Sequence, residues 1–148
     1  MVKNNKVMLV RIAAIFMLTL GLFAPLDKAE AGVSVRVNRG SQTMNVYVNG
    51  LHYYSWAISS GRRGYTTPSG TYRPIRLERM WYSRKYHMSP MPYSIFFRGG
   101  FAIHGTRQTR YLGRRASHGC IRLHPSNART LYSLVRKYGR AGTRITIH

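Results

Sequence analysis

Acids are scarce in this sequence. Its 148 residues hold 24 lysines and arginines against three aspartates and glutamates, a formal charge of +21. Two of the acids, Asp27 and Glu30, lie near the N-terminus, so Glu78 is the only carboxylate side chain beyond residue 31. A mechanism built on paired carboxylates is therefore excluded there, and catalysis has to run on Cys, His, Ser, Tyr, Lys or backbone groups. Cysteine is equally scarce. Cys120 stands alone, so no internal disulfide can form. Its thiol is an intermolecular bridge, a buried inert group or a nucleophile. A long apolar run is missing as well: Ile12 to Ala24 is 13 residues, short of the roughly 20 that a membrane span needs. No cysteine follows that run, which excludes a lipid anchor of the bacterial lipoprotein type. There is no 20–50-residue repeat and no low-complexity linker.

What is present begins with a leader. Lys3, Lys6 and Arg11 precede the apolar run, and Ala29-Glu30-Ala31 follows it as a small-x-small cleavage pattern. These are the parts of a secretory signal peptide. The expected organisation is a signal peptide over residues 1–31, cleaved near Ala31, and one exported domain over residues 32–148. That length supports a single core. The exported part carries a formal charge of about +19, with eighteen arginines among its twenty basic residues. Guanidinium forks suit carboxylates and phosphates, and such a field draws anionic partners and favours a thiolate. Acidic cell-wall peptides and anionic envelope lipids fit; export argues against nucleic acid.

The first third alternates. Val33, Val35 and Val37, then Met44, Val46 and Val48, occupy every second position, and Asn49-Gly50 predicts a hairpin leading into a strand from Leu51 to Ile58. Ser59 to Pro74, with three glycines and two prolines, predicts loop, short strand, loop. Gly61-Arg62-Arg63-Gly64 lacks the lysine and helix of a phosphate loop. Short strands are expected at Tyr93–Phe97 and Phe101–His104, turning at Arg98-Gly99-Gly100. One helix is expected after Ser126 or Asn127. Its apolar stripe is Ala128, Leu131, Leu134, Val135 and Tyr138, and Gly139 stops it. Thr143 to Ile147 predicts a closing strand. The domain is thus mainly β with one helix in its C-terminal half.

Four chemistry-bearing groups cluster: His104, His118, Cys120 and His124. Zinc could take three histidines and a thiolate, but the spacings match no common zinc motif. The second-shell acids that zinc histidines want are missing too. No metal or other cofactor is expected. A histidine ending a strand, or a cysteine beside a glycine, is ordinary taken singly. Taken together they describe an activated thiol. An imidazole removes the proton, Gly119 lets the backbone bend so that N–H groups face an oxyanion, and Arg122 holds a substrate carboxylate.

The segment His104 to Leu123, HGTRQTRYLGRRASHGCIRL, resembles the signature of the L,D-transpeptidase catalytic domain (YkuD-type). SSGRRGYTTPSGTYRP and MPYSIFF followed by GGFAIHG are similar to further segments of that family. The likeness runs over roughly Val33 to Ile147. It implies a β-sandwich or barrel-like domain whose nucleophile is Cys120, activated by His104 and oriented through the Gly105 carbonyl. His118 is implied as a supporting position. Gly119 and Cys120 are implied as oxyanion donors, and Arg122 as a donor-stem contact. Ser117 would buttress the loop and His124 would be structural; for Tyr93 aromatic packing is expected first, with a place in a substrate groove as the alternative. It further implies a periplasmic enzyme that cuts peptidoglycan tetrapeptide stems through a thioester. The acyl group would pass to another stem, to a lysine of an outer-membrane lipoprotein or to water.

Overall fold

The computed structural model describes residues 31–148; the expected leader, up to Glu30, lies outside them. Alternation in the first third produces three strands: β1 (Val33–Asn38), β2 (Thr43–Val48) and β3 (Leu51–Ala57). The valines of β1 and Met44, Val46 and Val48 of β2 are buried, and their alternating neighbours face outward. Asn49 (φ 51) and Gly50 (φ 80) both occupy the left-handed region that the tight β2–β3 turn requires. The short strand expected among the loops is β4 (Gly70–Tyr72). With β9 (Thr143–Ile147), which runs parallel to β1, these strands form a five-stranded sheet in the order β3-β2-β1-β9-β4.

The second sheet contains β5 (Arg76–Ser83), β6 (Ser89–Arg98), β7 (Phe101–Gly105) and β8 (Ile121–Leu123), in that order. The expected strand at Tyr93 extends back to Ser89, and β5 and β8 had no signal in the sequence. β5 is an edge strand whose residues are all exposed or half-buried, so no clean apolar face marks it; it exists by pairing with β6. β8 has three residues, too few for a period. It is held from both sides, parallel to β7 and bridged to Ser59, with Ser59 N–H to Arg122 O at 3.0 Å and Arg122 N–H to Ser59 O at 2.9 Å.

The helix, α1 (Pro125–Tyr138), begins one residue before Ser126 and two before Asn127, the expected caps. His124 caps it: its ring Nδ1 accepts the Ser126 N–H and also pairs with Ser126 Oγ at 2.7 Å. Proline at the first helical position loses a donor that would have had no partner. Ala128, Leu131 and Val135 are buried, and Gly139 (φ 79) ends the helix. α1 lies against β6, β7 and β1. The main core gathers Val35, Met44, Val46 and Ile145 from the first sheet, Ile95, Phe97, Ile103, Ile121 and Leu123 from the second, and Leu131 from α1. A smaller cluster of Met91, Phe96 and Ala102, with half-buried Trp81 and Cys120, is separate from it. Ala102 and Ile103 are neighbours on β7, so this second cluster lies on the outer face of the four-stranded sheet.

Candidate active site

Sixteen positions separate His104 from Cys120 in the chain, and strand pairing removes that separation. β7 and β8 are parallel, with Ile103 opposite Ile121, His104 opposite Arg122 and Gly105 opposite Leu123. Parallel neighbours need a long crossover, here residues 106–120. Side chains alternate across a strand. Ile103, Ile121 and Leu123 enter the core. Ala102, His104 and Arg122 therefore share the other face, and Cys120, one residue before β8, packs there with Ala102. Cys120, two residues before Arg122, and His104 are thus diagonal neighbours on that face.

His104 is 6% exposed. Its Nδ1 lies 2.7 Å from the Gly105 carbonyl oxygen. A carbonyl only accepts, so Nδ1 carries the proton and Nε2 keeps its lone pair. Burial lowers the imidazole pKa from 6.5 to about 4; the Gly105 hydrogen bond opposes the shift and the Arg122 charge adds to it. The ring is neutral at neutral pH. Burial likewise raises the Cys120 thiol, and that outweighs the opposing effects of an Ala102 backbone hydrogen bond and the Arg122 charge. The composition favoured a thiolate here. The resting site instead holds a neutral thiol, because desolvation at this position exceeds the pull of one nearby guanidinium. The thiol hydrogen bond runs to Gly100 O at 3.8 Å.

The loop before Cys120 is tied down by side chains. Ser117 Oγ accepts the Gly119 N–H at 3.0 Å and donates to Cys120 O at 2.5 Å. Ser117 is fully buried. Gly119 has φ 113, and a Cβ there would lie 2.6 Å from the Phe101 ring, so the position admits only glycine. Its N–H, one of the two expected oxyanion donors, is already given to Ser117. Gly105 is a close approach rather than a special conformation: a Cβ would meet Pro92 at 3.1 Å and the Pro125 backbone at 3.2 Å, where α1 crosses β7.

The other expected residues divide. Arg122 is half-buried on the site face, and its Nη1 donates to Gln108 Oε1 at 3.1 Å. His118 does not point at the sulfur. Its ring stacks on Tyr86 (4.4 Å) and meets the edge of Tyr65 (4.7 Å), and its Nε2 accepts from Arg62 Nη2 at 3.0 Å. That bond requires a neutral ring. Slight burial, Arg62, Arg122 and Lys85 all lower its pKa. His118 is held by Tyr86, Tyr65 and Arg62 rather than by the thiol. Tyr93 lies elsewhere. It adopts φ 55, packs against the main core and meets Tyr132 of α1 at 5.7 Å. The main core fills the opposite face of the sheet, so Tyr93 does not line a groove at Cys120. His124 is the helix cap. Among the described residues no three His, Cys, Asp or Glu side chains come together as a metal site.

Several contributors escaped the sequence. Tyr86 has no periodic or motif signal, and Arg62 and Tyr65 share only the family-like Ser59–Pro74 segment; all three reach His118 only through the fold. The Gly61–Gly64 loop turns its donors inward, with Gly61 N–H to Thr67 Oγ1 at 2.9 Å and Arg62 N–H to Ser117 O at 3.0 Å, and so braces the Cys120 loop. Thr67 lies inside the quoted TTPSGTY segment, which was its only signal.

Two sheets and one helix in this arrangement have counterparts. Residues 32–147 match the L,D-transpeptidase catalytic domain, YkuD, and the chain belongs to that family. It is 28% identical over 119 residues to the Bacillus subtilis (strain 168) protein YkuD, covering 77% of this chain and 65% of that one. The L,D-transpeptidase of Stackebrandtia nassauensis superposes with a TM-score of 0.70 at 26% identity, over 87% of this chain and 61% of that one. L,D-transpeptidase 3 from Mycobacterium tuberculosis, solved with a faropenem-derived adduct, has a TM-score of 0.66 at 20% identity, over 79% and 60%. The chain therefore spans less than two thirds of the length of each.

Proposed function

We propose that this protein is a periplasmic cysteine L,D-transpeptidase that acts on peptidoglycan tetrapeptide stems. The observation that carries the proposal is the shared face of Cys120 and His104, with the His104 Nδ1 proton fixed on the Gly105 carbonyl. An imidazole held in that tautomer offers Nε2 as a base beside the only thiol. Family membership supports the reaction class.

The neutral resting pair makes the first step concerted. The Cys120 proton passes to His104 Nε2 as the sulfur adds to the carbonyl before the terminal D-Ala, so no ion pair has to stand ready. Backbone N–H takes the developing oxyanion. The intermediate then breaks its C–N bond, and the imidazolium proton leaves on the D-Ala amine. The acyl group stays on sulfur as a thioester. An acceptor amine gives a proton to His104 and attacks. The C–S bond breaks, and the thiolate recovers its proton from the imidazolium. Export places the reaction where no ATP is available, and the thioester conserves the energy of the bond it replaced. Arg122, whose charge reaches Cys120, and Arg62 near it supply positive charge for stem carboxylates. The side-chain amine of a second stem makes a 3-3 crosslink, a lipoprotein lysine makes an anchor, and water makes a tripeptide.

The test is incubation of the full chain, and of Cys120→Ala, with tetrapeptide muropeptides, followed by product analysis. Wild type is expected to give 3-3 dimers, tripeptides or both, and the variant neither. Absence of both products from wild type refutes the proposal.

A further inference from the structure

Three consecutive peptide units surround the thiol, and the structure shows what holds each. The unit joining His118 to Gly119 is held through its N–H, given to Ser117 Oγ at 3.0 Å. The unit joining Cys120 to Ile121 is held through its oxygen, which receives the Ser117 hydroxyl at 2.5 Å. The middle unit, joining Gly119 to Cys120, is held by a residue 52 positions away: Thr67 Oγ1 donates to Gly119 O at 2.7 Å. Thr67 is 1% exposed, and the same oxygen accepts the Gly61 N–H at 2.9 Å. Its single proton and a lone pair are both committed, so the hydroxyl cannot rotate.

In a planar trans peptide the C=O and the following N–H point in opposite directions. A hydroxyl that pulls Gly119 O inward therefore turns the Cys120 N–H outward. Glycine makes this hold necessary. Gly119 sits at φ 113, and a residue without Cβ lets its peptide plane turn over at little cost. A reversed unit would present an oxygen where the oxyanion needs a donor.

We infer that Thr67 is a positioning residue whose hydroxyl aims the Cys120 N–H at the substrate carbonyl oxygen. The inference rests on the proposal that Cys120 is the nucleophile, and it adds the group that orients the oxyanion donor. Gly119 N–H is spent on Ser117, which leaves the Cys120 N–H as the donor whose direction matters.

Two reactions of the one thiol separate aim from structure. Acylation by imipenem develops an oxyanion on the lactam carbonyl. Alkylation by iodoacetamide displaces iodide from carbon and develops none. Both are followed by intact mass on wild type, Thr67→Val and Thr67→Ser. Thr67→Val is expected to slow imipenem acylation at saturating drug roughly 10–100-fold, with half-saturation unchanged and alkylation within about twofold of wild type. Thr67→Ser, which keeps the hydroxyl, is expected to restore acylation to within about threefold. Equal acylation in wild type and Thr67→Val overturns the inference. So does an equal loss in both reactions, which means a disordered loop rather than a misaimed donor. If Thr67→Val does not fold, Thr67→Ala is measured in its place; failure of both to fold while Thr67→Ser folds also overturns it. Wild type that imipenem does not acylate sinks the parent proposal. Wild type that is acylated, with Thr67→Val equally fast, sinks this inference alone.

Discussion

Acid should cost this domain stability at one identifiable histidine. The His104 pKa falls from 6.5 to about 4 on folding because the ring is buried. The unfolded chain therefore binds a proton near pH 6.5 that the folded chain refuses until about pH 4. Wherever the unfolded state binds more protons, stability rises with pH. The contribution is fully present above pH 6.5 and is lost as pH falls through 4. A gap of that size is worth about 3 kcal/mol in full, and about 2 kcal/mol of that is lost between pH 7 and pH 4.5. For a domain whose whole stability is of order 5–15 kcal/mol that is a large fraction. The assay is urea unfolding at pH 7.0 and 4.5, for the wild type and for His104→Asn, whose amide can still donate to the Gly105 carbonyl but does not titrate. Other groups titrate in both proteins and cancel in the comparison. The wild type is expected to lose about 2 kcal/mol more than the variant. Parallel losses would show that the imidazole is solvated or already charged, and the account of a neutral base would fall with it.

Two further outcomes follow from the geometry. Gly119→Ala is expected to lower stability by about 2–4 kcal/mol in urea unfolding, because it combines a positive φ with a clash against the Phe101 ring; a loss under 1 kcal/mol would mean the loop adapts. Tyr93→Phe is expected to leave imipenem acylation within about twofold of wild type, since the ring packs on the helix side; a tenfold loss would place its hydroxyl beside the reacting groups after all.

The legible part of the fold was the part with a period. Val33 to Val48 alternates because one face is buried, and the stripe of α1 repeats because one face meets the sheet, so both could be read without coordinates. β8 could not, because three residues carry no period and its partners, β7 and Ser59, come from elsewhere in the chain. β5 hid because an edge strand carries arginines and aromatics on exposed positions. At the site, Cys120 stood out by being alone, and its signature carried His104 and Gly105 with it. Tyr93 packs as an aromatic against the main core, the role expected first for it, but an aromatic in a family-like segment does not reveal its strand face, and φ 55 at this position is invisible in a sequence. Arg62, Tyr65 and Tyr86 escaped because their relation to His118 exists only in three dimensions.

The crossover between β7 and β8 has a consequence for how such a domain can vary. Its near end is fixed where Thr106 N–H meets Leu123 O, and its far end where Gly113 N–H meets Ile58 O and Ala116 N–H meets Ser60 O. Between those anchors the chain can lengthen or shorten while both strand ends stay in register. Doubling a flexible loop costs only about 0.6 kcal/mol. Insertions at Thr109 to Leu112, beyond the Gln108 that holds Arg122, would thus reshape the surface beside the site and leave the strand pairing of β7 and β8 as it is, so acceptor choice could drift while the reaction stays the same.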